Sequence, residues 1–266
     1  MPSSQQRLRS TFDAVPDLYE RARPTYPAQV FGYIAALARL REAARILEIG
    51  CGTGQGTVPL AERGYRITCV ELGARLAAVA RRKLAAFPSV EVIDGDFERW
   101  RPPHTAYDAV VAFTAFHWIS LDVRYAKAAS LLRDGGALAV VATQHVLPPD
   151  GDPFFAEVQE DYDAVVPDDP KTKAGPPSHP DEIGDLRDEI DASGVFRNVG
   201  VRRYLWNAIY TADDYVALLS TYSGHLALDE ARRQRLYARI RRRIAARPEA
   251  RVRKTYLTTL NVARRL

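Results

Sequence analysis

Short apolar runs alternate with longer segments of helical periodicity along the first half of this chain. The runs occupy residues 44–49, 66–71, 90–93, 107–113 and 137–142. The helical segments before and between them occupy residues 30–40, 57–63, 73–86 and 121–132. Apolar runs of this length that alternate with helices predict parallel strands joined by crossover helices. The pattern therefore predicts an α/β fold, a mostly parallel sheet with helices on both faces.

The second half of the chain is less regular. Eight prolines interrupt residues 147–194, which is typical of a variable cover over an active site rather than of a separate domain. Beyond them the pattern predicts a strand at 197–210, helices at 211–219 and 228–246, and a final alternating strand at 253–263. The chain thus has seven predicted strands.

We expect residues 1–266 to form a single domain, because 266 residues of which 47% are hydrophobic can bury one core of good size. Its core would comprise about residues 28–146, 195–210 and 253–266. The remaining parts would be an N-terminal lid over about residues 1–27 and helical insertions over about 147–194 and 211–250, which cover the active site.

The composition excludes several classes of protein. Cys51 and Cys69 are too few for a disulfide framework, and no cluster of His, Cys and Asp has the spacing of metal ligands. No run of about twenty apolar residues is present, and residues 1–7 lack the apolar segment of a signal peptide. We therefore expect a cytoplasmic protein with no metal and no membrane insertion.

Charge is segregated along the chain, although the net charge is only +4. Residues 229–266 contain thirteen Arg or Lys against three Asp or Glu, whereas residues 150–191 contain fourteen acids against three bases. The basic segment carries an apolar stripe at Leu236, Ile240 and Ile244, which marks one face of a helix. We interpret its arginines as a solvated helix face. Docking against the acidic segment and binding of nucleic acid are the alternatives.

Glycines stand at alternate positions after the first predicted strand, at Gly50, Gly52 and Gly54, and the end of that strand contains an acid, Glu48. Glycines permit positive φ and close approach of a ligand to the backbone. The free N–H groups of a helix that starts near Gln55 would attract a carboxylate or a phosphate. A dinucleotide loop needs a third glycine where Gln55 stands, so the spacing disfavours a nicotinamide oxidoreductase.

Acids also follow the next two strands. Glu71 ends the second strand twenty-one residues beyond Gly50, where a doubly wound fold places the carboxylate that accepts from ribose hydroxyls. The alternative is that Glu71 only caps the following helix. Asp96 and Phe97 follow the third strand. A short acid there can accept from an adenine amino group while the ring stacks on the base.

Together these residues resemble the motifs of class I S-adenosylmethionine-dependent methyltransferases. The segment from Glu48 to Gly54 is similar to the first motif of that family, and Gly95-Asp96-Phe97 is similar to its adenine-binding motif. The resemblance implies a Rossmann-like sheet whose last strand is antiparallel and lies between the fifth and the sixth. It also implies S-adenosyl-L-methionine as cofactor. The contacts expected for it in this part of the chain are Glu48, Gly50, Cys51, Gly52, Gly54, Glu71, Leu72, Asp96, Phe97 and Thr114.

The N-terminal segment adds a second resemblance. Residues 11–27 contain three prolines, so we expect the segment to be ordered by packing over the sheet rather than by a helix of its own. Tyr19, Arg23 and Tyr26 stand in a pattern similar to the lid of small-molecule methyltransferases of the trans-aconitate and ubiquinone-biosynthesis type. The resemblance implies that Tyr19 and Arg23 meet the cofactor's carboxylate and that Tyr26 contacts the acceptor. The alternative is a segment that only caps the sheet edge.

The loop after the fourth strand is the expected place for chemistry, because open α/β sheets bind ligands at the carboxyl ends of their strands. Residues 114–119 lack the Pro-Pro-aromatic pattern with which amino-group DNA methyltransferases hold a flipped base, which favours a small-molecule acceptor. His117 is the candidate catalytic base, with a packing role as the alternative. His145, after the fifth strand, is a second candidate for acceptor contact.

We therefore interpret the chain as a methyltransferase that transfers a methyl group to an O, N or C atom of a small molecule. One alternative is a nucleic-acid methyltransferase that uses the basic C-terminal segment, which steep salt dependence of binding would reveal. Another is a protein that binds the cofactor without turning it over. We expect His104, His179 and His225 to be surface or packing residues.

Overall fold

The computed structural model describes residue 13 and residues 15–102, 106–167 and 175–266. The expected lid residues before Asp13, and His104, lie outside the described residues. The strands are β1 (Arg45–Ile49), β2 (Arg66–Glu71), β3 (Val90–Asp94), β4 (Tyr107–Phe113), β5 (Leu132–His145), β6 (Phe196–Thr211) and β7 (Arg251–Arg265). The helices are α1 (Pro16–Ala22), α2 (Ala28–Ala38), α3 (Thr57–Ala61), α4 (Ala74–Lys83), α5 (Leu121–Leu131), α6 (Phe154–Glu157), α7 (Gln159–Val165), α8 (Arg187–Ala192), α9 (Ala212–Leu219), α10 (Ser223–Leu226) and α11 (Glu230–Ala245).

The strands form one seven-stranded sheet in the order β3-β2-β1-β4-β5-β7-β6. Strands β1 to β5 pair in parallel, whereas β7 pairs antiparallel with both β5 and β6. The predicted fold class and the position of the antiparallel strand are therefore confirmed. Strand order reverses between β1 and β4, which places a crevice for ligands at the carboxyl ends of these two strands.

Apolar side chains cover both faces of the sheet, as the near-continuous hydrophobic runs in β1 and β4 require. On one face α2 buries Phe31 and Ile34 against the strands. On the other face α5 and α8 bury Tyr125 and Ile190. The core is thus a three-layer arrangement that holds the crevice between β1 and β4 in place.

β5 is longer than the apolar run at 137–142 predicts. It spans 14 residues, and its extension beyond Ala142 pairs with β7, which lies alongside it from Ala137, opposite Arg264, to His145, opposite Tyr256. β4 ends earlier, at Phe113 opposite Val141. β5 and β7 therefore rise beyond the end of β4 and form a wall beside the crevice.

The prediction that the N-terminal segment has no helix of its own is wrong, because residues 16–22 form α1. Pro16 stands at the start of the helix, where its fixed φ suits the first turn and its missing N–H is not needed. Asp17 lies in the first turn, where it interacts favourably with the helix dipole. The helix ends before Arg23-Pro24, since the residue that precedes a proline avoids helical geometry.

The helical insertions pack over the ends of β6 and β7 in a third apolar cluster that includes Phe154, Leu218 and Ile240. There the basic segment docks against the acidic one. Arg239 and Arg243 of α11 both donate to the carboxylate of Asp161 in α7, at 3.0 and 2.6 Å. The docking alternative therefore describes α11 better than a solvated helix face does.

Candidate functional site

The glycine loop forms the floor of the crevice. Gly50, Gly52 and Gly54 have φ of +66°, +58° and +86°, a region that side chains disfavour. A Cβ on Gly50 would lie 2.7 Å from the Cβ of Ala115, so no larger residue fits there. Gly50 and Gly52 line a cavity of about 250 Å³, the first cavity, in which a ligand can reach the backbone directly.

Glu71 stands at the edge of the same cavity, together with the half-exposed Leu72. Its carboxylate accepts from the N–H groups of Gly52 and Gly73, both at 2.8 Å. Because Gly73 directly precedes α4, its hydrogen bond agrees in part with the capping alternative. An ionised carboxylate can accept about four hydrogen bonds, so these two donors do not use its full capacity. Burial raises the pKa of Glu71, while the two N–H donors act in the opposite direction. The remaining acceptor capacity suits a pair of ligand hydroxyls.

Glu48 lies beneath the loop and is fully buried. Its Oε2 contacts the Cys69 thiol at 3.9 Å, and its Oε1 has no hydrogen-bond partner within the described residues. Burial raises the pKa of Glu48 to about 7, an effect that hydrogen bonds from Thr57 and Cys69 oppose. Glu48 is not among the residues that line the first cavity, so its expected contact with the cofactor stays a prediction. Cys51, in the loop, is buried, and a hydrogen bond with the Cys69 side chain, together with burial, raises the pKa of its thiol.

The turn after β3 contributes Gly95 and the buried ring of Phe97 to the cavity wall. The Asp96 carboxylate accepts from the Glu98 N–H at 2.9 Å and lies 4.0 Å from the Arg99 guanidinium. In this arrangement Asp96 stabilises the turn that presents Phe97. Its contact with an adenine amino group stays a prediction.

Tyr19 of α1 and Arg23, the residue that follows this helix, both line the cavity and cover it. Arg23 donates to the hydroxyl and the carbonyl of Thr221, at 2.8 and 3.0 Å, and its guanidinium lies 4.5 Å from the ring of Tyr222. The lid is thereby attached to the segment between α9 and α10. Tyr26 lies deeper and forms a 3.2 Å hydrogen bond with the Thr114 hydroxyl.

The loop after β4 carries the candidate base. Thr114 adopts a left-handed φ of +54°, which turns the chain into a single 3-10 turn at residues 116–118. His117 in this turn is exposed at the rim, with its ring 4.9 Å from that of Trp118. Part of the ring is nevertheless covered by its neighbours, and this partial burial together with the nearby Arg124 guanidinium lowers the pKa of His117 below 6.5. At neutral pH the imidazole is therefore uncharged and able to accept a proton.

A second cavity, of about 470 Å³, adjoins the first, and Thr114 and His117 line both. Its walls include the end of β5, the loop at 184–186, Glu189 of α8 and two residues of β7, Thr259 and Asn261. Both residues of β7 are absent from the site predicted from the sequence. Their sequence signal is weak, because Lys254, Thr255 and Thr258 are also polar and buried in this strand.

His145 lies outside the residues that line either of these cavities. Its ring packs 4.3 Å from that of Phe155, and burial together with the Lys254 ammonium lowers its pKa to about 2. Its role in acceptor contact stays a prediction. Within the described ranges, no group of three or more His, Cys, Asp or Glu side chains could hold a metal ion. None of the helices in those ranges combines the length and apolarity that a membrane span requires.

The site thus combines an open backbone floor, a carboxylate for hydroxyls, an aromatic wall, an unsatisfied acid under the loop and a lid with an arginine. These features fit an elongated ligand with a nucleoside at one end and a charged amino-acid group at the other. The uncharged imidazole lies where this cavity meets a second one, which suits a reaction between two small ligands.

Comparison with known proteins agrees with this geometry. Residues 46–136 match the family model described as a methyltransferase domain. An uncharacterized methyltransferase of Mycobacterium tuberculosis is 31% identical over 141 residues, which are 53% of this chain and 55% of that protein. The trans-aconitate 2-methyltransferase of Paracidovorax citrulli is 32% identical over 128 residues, which are 46% of this chain and 45% of that protein. The chain thus spans about half the length of the curated relatives it matches.

A solved structure from Anaeromyxobacter dehalogenans, described as a type II methyltransferase, is similar over the whole fold. It aligns with a TM-score of 0.62 at 23% identity and covers 91% of this chain and 97% of its own. At this identity the likeness shows the fold alone. The likeness also includes strands β6 and β7, which lie beyond the family match at residues 46–136.

Proposed function

We propose that this chain, which carries a class I S-adenosylmethionine-dependent methyltransferase domain, transfers a methyl group to a small-molecule acceptor beside His117. The observation that supports the proposal best is the pair of adjoining cavities that share Thr114 and His117. The first cavity suits the cofactor and the second suits the acceptor. The two ligands would then meet at the carboxyl end of β4.

The residues of the first cavity would hold the cofactor. Glu71 would accept from the ribose hydroxyls, and Phe97 would pack on the adenine. The amino-acid end would lie over Gly50 and Gly52, with the Arg23 guanidinium near its carboxylate. When bound, S-adenosylmethionine supplies a methyl group on a positively charged sulfur.

The chain's own contribution to the reaction is positioning, exclusion of water and removal of a proton. The walls around Thr114 would align the acceptor with the methyl group, which converts an encounter of two ligands into a reaction within one complex. His117 would take the proton of an acceptor hydroxyl or ammonium group. An acceptor carboxylate would need no base.

Several observations support a small molecule as acceptor rather than nucleic acid. The second cavity, of about 470 Å³, has the size of a small-molecule site. One relative is named for a small acceptor, trans-aconitate. In addition, Arg239, Arg243 and Arg247 of the basic segment pair with acids of this chain, which leaves them less available to phosphates.

Calorimetric titration with S-adenosylhomocysteine, the demethylated product, tests the cofactor, with NAD as the control ligand. We expect micromolar binding of S-adenosylhomocysteine and no binding of NAD. Binding of NAD alone, or of neither ligand, would refute the assignment of the glycine loop. With binding established, transfer of a labelled methyl group to small acceptors but not to RNA or DNA would support the acceptor class.

A further inference from the structure

The second cavity lies against an open strand edge. β4 ends at Phe113, opposite Val141, and the Thr114 N–H donates to the Val141 carbonyl at 2.7 Å. β5 continues to His145 and, within the part of the chain described, pairs beyond Val141 only with β7 on its other side. Residues 142–144 line the cavity. Because backbone N–H and C=O groups require hydrogen-bond partners, this edge offers donors and acceptors to a polar ligand.

Two polar side chains reach the same cavity from β7. Thr259 and Asn261 are only 3% and 2% exposed, and both line the cavity. Asn261 Oδ1 accepts from the Leu186 N–H at 3.0 Å, which leaves its Nδ2 group as a donor. Within the described residues, neither this Nδ2 group nor the Thr259 hydroxyl forms a hydrogen bond. Both atoms stay open to the space of the cavity, so each can donate a hydrogen bond to a ligand there.

The charged groups around the cavity are already paired. Glu189 accepts from the Arg124 guanidinium at 2.5 Å and also from the Tyr125 hydroxyl. Asp185 forms an ion pair with Arg187 at 2.8 Å, and this guanidinium keeps the pKa of Asp185 below its usual range. Within the described residues, each charged side chain that lines the cavity therefore has a counter-ion, although Nε of Arg124 forms no hydrogen bond. An ionised ligand would have to shed its hydration without gaining a counter-ion, which is costly.

We propose that the second cavity binds an uncharged acceptor that carries a hydroxyl group, and that Thr259, Asn261 and the open edge of β5 hold it. This inference rests on the proposed function and specifies its acceptor class as a neutral alcohol or phenol. Apolar contact comes from Phe116 and Val140, which also line the cavity. The acceptor hydroxyl then faces His117, which lines both cavities.

The corresponding reaction is O-methylation. The acceptor oxygen forms a bond to the methyl carbon while the carbon–sulfur bond of S-adenosylmethionine breaks and its electron pair goes to sulfur. The acceptor O–H bond breaks with its electron pair on oxygen, and His117 takes the proton. The products are a methyl ether, S-adenosylhomocysteine and a protonated imidazole that releases its proton to water.

Three probes that share one ring system and differ in charge test the acceptor class. Calorimetry would use protein loaded with S-adenosylhomocysteine and 2-naphthylmethanol, 2-naphthylmethylamine or 2-naphthoate as the titrant. We expect the alcohol to bind at least about tenfold more tightly than either charged probe. Tighter binding of the amine or the carboxylate, or no binding of the alcohol, would overturn the proposal. Because S-adenosylhomocysteine binding is measured in the same samples, such a result leaves the proposed function intact.

Variants of β7 test the residues. Thr259→Val removes one hydroxyl, and Asn261→Asp keeps the acceptor for Leu186 while it removes the free donor. Because the probe has a single hydroxyl, which also faces His117, at least one of the two variants should weaken binding of the alcohol about tenfold, the effect of one buried hydrogen bond. Thr258→Val is the matched control, because the Thr258 hydroxyl meets Trp206 and Thr143 on the other face of the strand.

The control should bind the alcohol as the wild type does, even if its melting temperature falls. Unchanged affinity in both test variants, with unchanged S-adenosylhomocysteine binding, would refute a role for β7 in the acceptor site. An equal loss of affinity in the control would also refute it, since the effect would then not depend on the face of the strand.

Discussion

Lys254 is only 2% exposed, and aromatic rings enclose its ammonium group. Its Nζ lies 5.4–5.8 Å from the ring centroids of Phe155, Tyr215, Tyr222 and Tyr256. Aromatic rings at this distance attract a cation, but burial disfavours one. Burial is the larger effect and, with the Arg23 guanidinium, lowers the pKa of Lys254 to about 7. Lys254 therefore lowers the free energy of unfolding at every pH at which it is protonated in the unfolded chain.

Replacement of this buried cation by an apolar residue of similar length should stabilise the protein. We expect Lys254→Met to raise the free energy of unfolding by about 1 to 3 kcal/mol at pH 7. Above pH 7 the folded protein releases the proton that the unfolded chain retains, so wild-type stability rises with pH. The advantage of Met should thus shrink by up to about 1.4 kcal/mol per pH unit between pH 7 and 9. Urea unfolding at both pH values measures it, and a constant difference would contradict the prediction.

Glu71 joins two parts of the cofactor site, since it accepts from Gly52 and Gly73 and lines the cavity. We expect Glu71→Ala to weaken S-adenosylhomocysteine binding by about 1 to 3 kcal/mol, the cost of leaving buried donors unpaired. Asp96→Ala should have a similar effect if its carboxylate meets the adenine. Asp94→Ala, an exposed acid at the end of β3, is the control and should bind normally. Calorimetry that shows normal binding in all three variants would refute the motif assignment.

At the scale of elements, the sequence predicts those strands and helices whose positions depend on the local pattern of apolar and polar residues. The apolar runs of β1 and β4 and the positions of α2, α5 and α11 are all close to those expected. The extension of β5 to His145 is not predictable in this way, because it depends on pairing with β7, more than a hundred residues later in the chain. The same pairing places Thr259 and Asn261 beside the second cavity. Local sequence cannot show that two polar residues of a late strand complete a site built around β4.

The docking of α11 on α7 depends on one buried carboxylate. Asp161 is 3% exposed and accepts from both Arg239 and Arg243. We expect Asp161→Asn to lower the free energy of unfolding by about 2 to 4 kcal/mol, because two arginines lose their common counter-ion. Asp213→Asn is the matched control, since Asp213 pairs with Arg241 of the same helix but is largely exposed. It should cost less than about 1 kcal/mol. Equal losses in urea unfolding would show that burial of Asp161 contributes nothing.

At the scale of the molecule, the buried titratable groups link stability to pH in opposite directions. Burial lowers the pKa of His145 to about 2 and that of His225 to about 4, so both stay neutral in the fold. Burial raises the pKa of Glu48 to about 7 and also raises that of Glu71. The two histidines lower stability as pH falls below 6.5, whereas the two acids lower it as pH rises above 4.5. A stability profile of the wild type alone therefore cannot separate them.

Removal of the histidines isolates their contribution. Between pH 6.5 and 5 the unfolded chain gains a proton at His145 and at His225 that the folded protein does not bind. Relative to the variant His145→Gln/His225→Gln, the free energy of unfolding of the wild type should fall by up to about 1.4 kcal/mol per histidine for each unit by which the pH is lowered. Urea unfolding of both proteins at pH 6.5 and 5.0 measures this difference, and measurements at pH 7.5 and 8.0 provide the control, where it should be constant. If the free energies of unfolding of the two proteins changed equally below pH 6.5, both rings would accept protons in the folded protein. The aromatic enclosure of Lys254 would then be open to water.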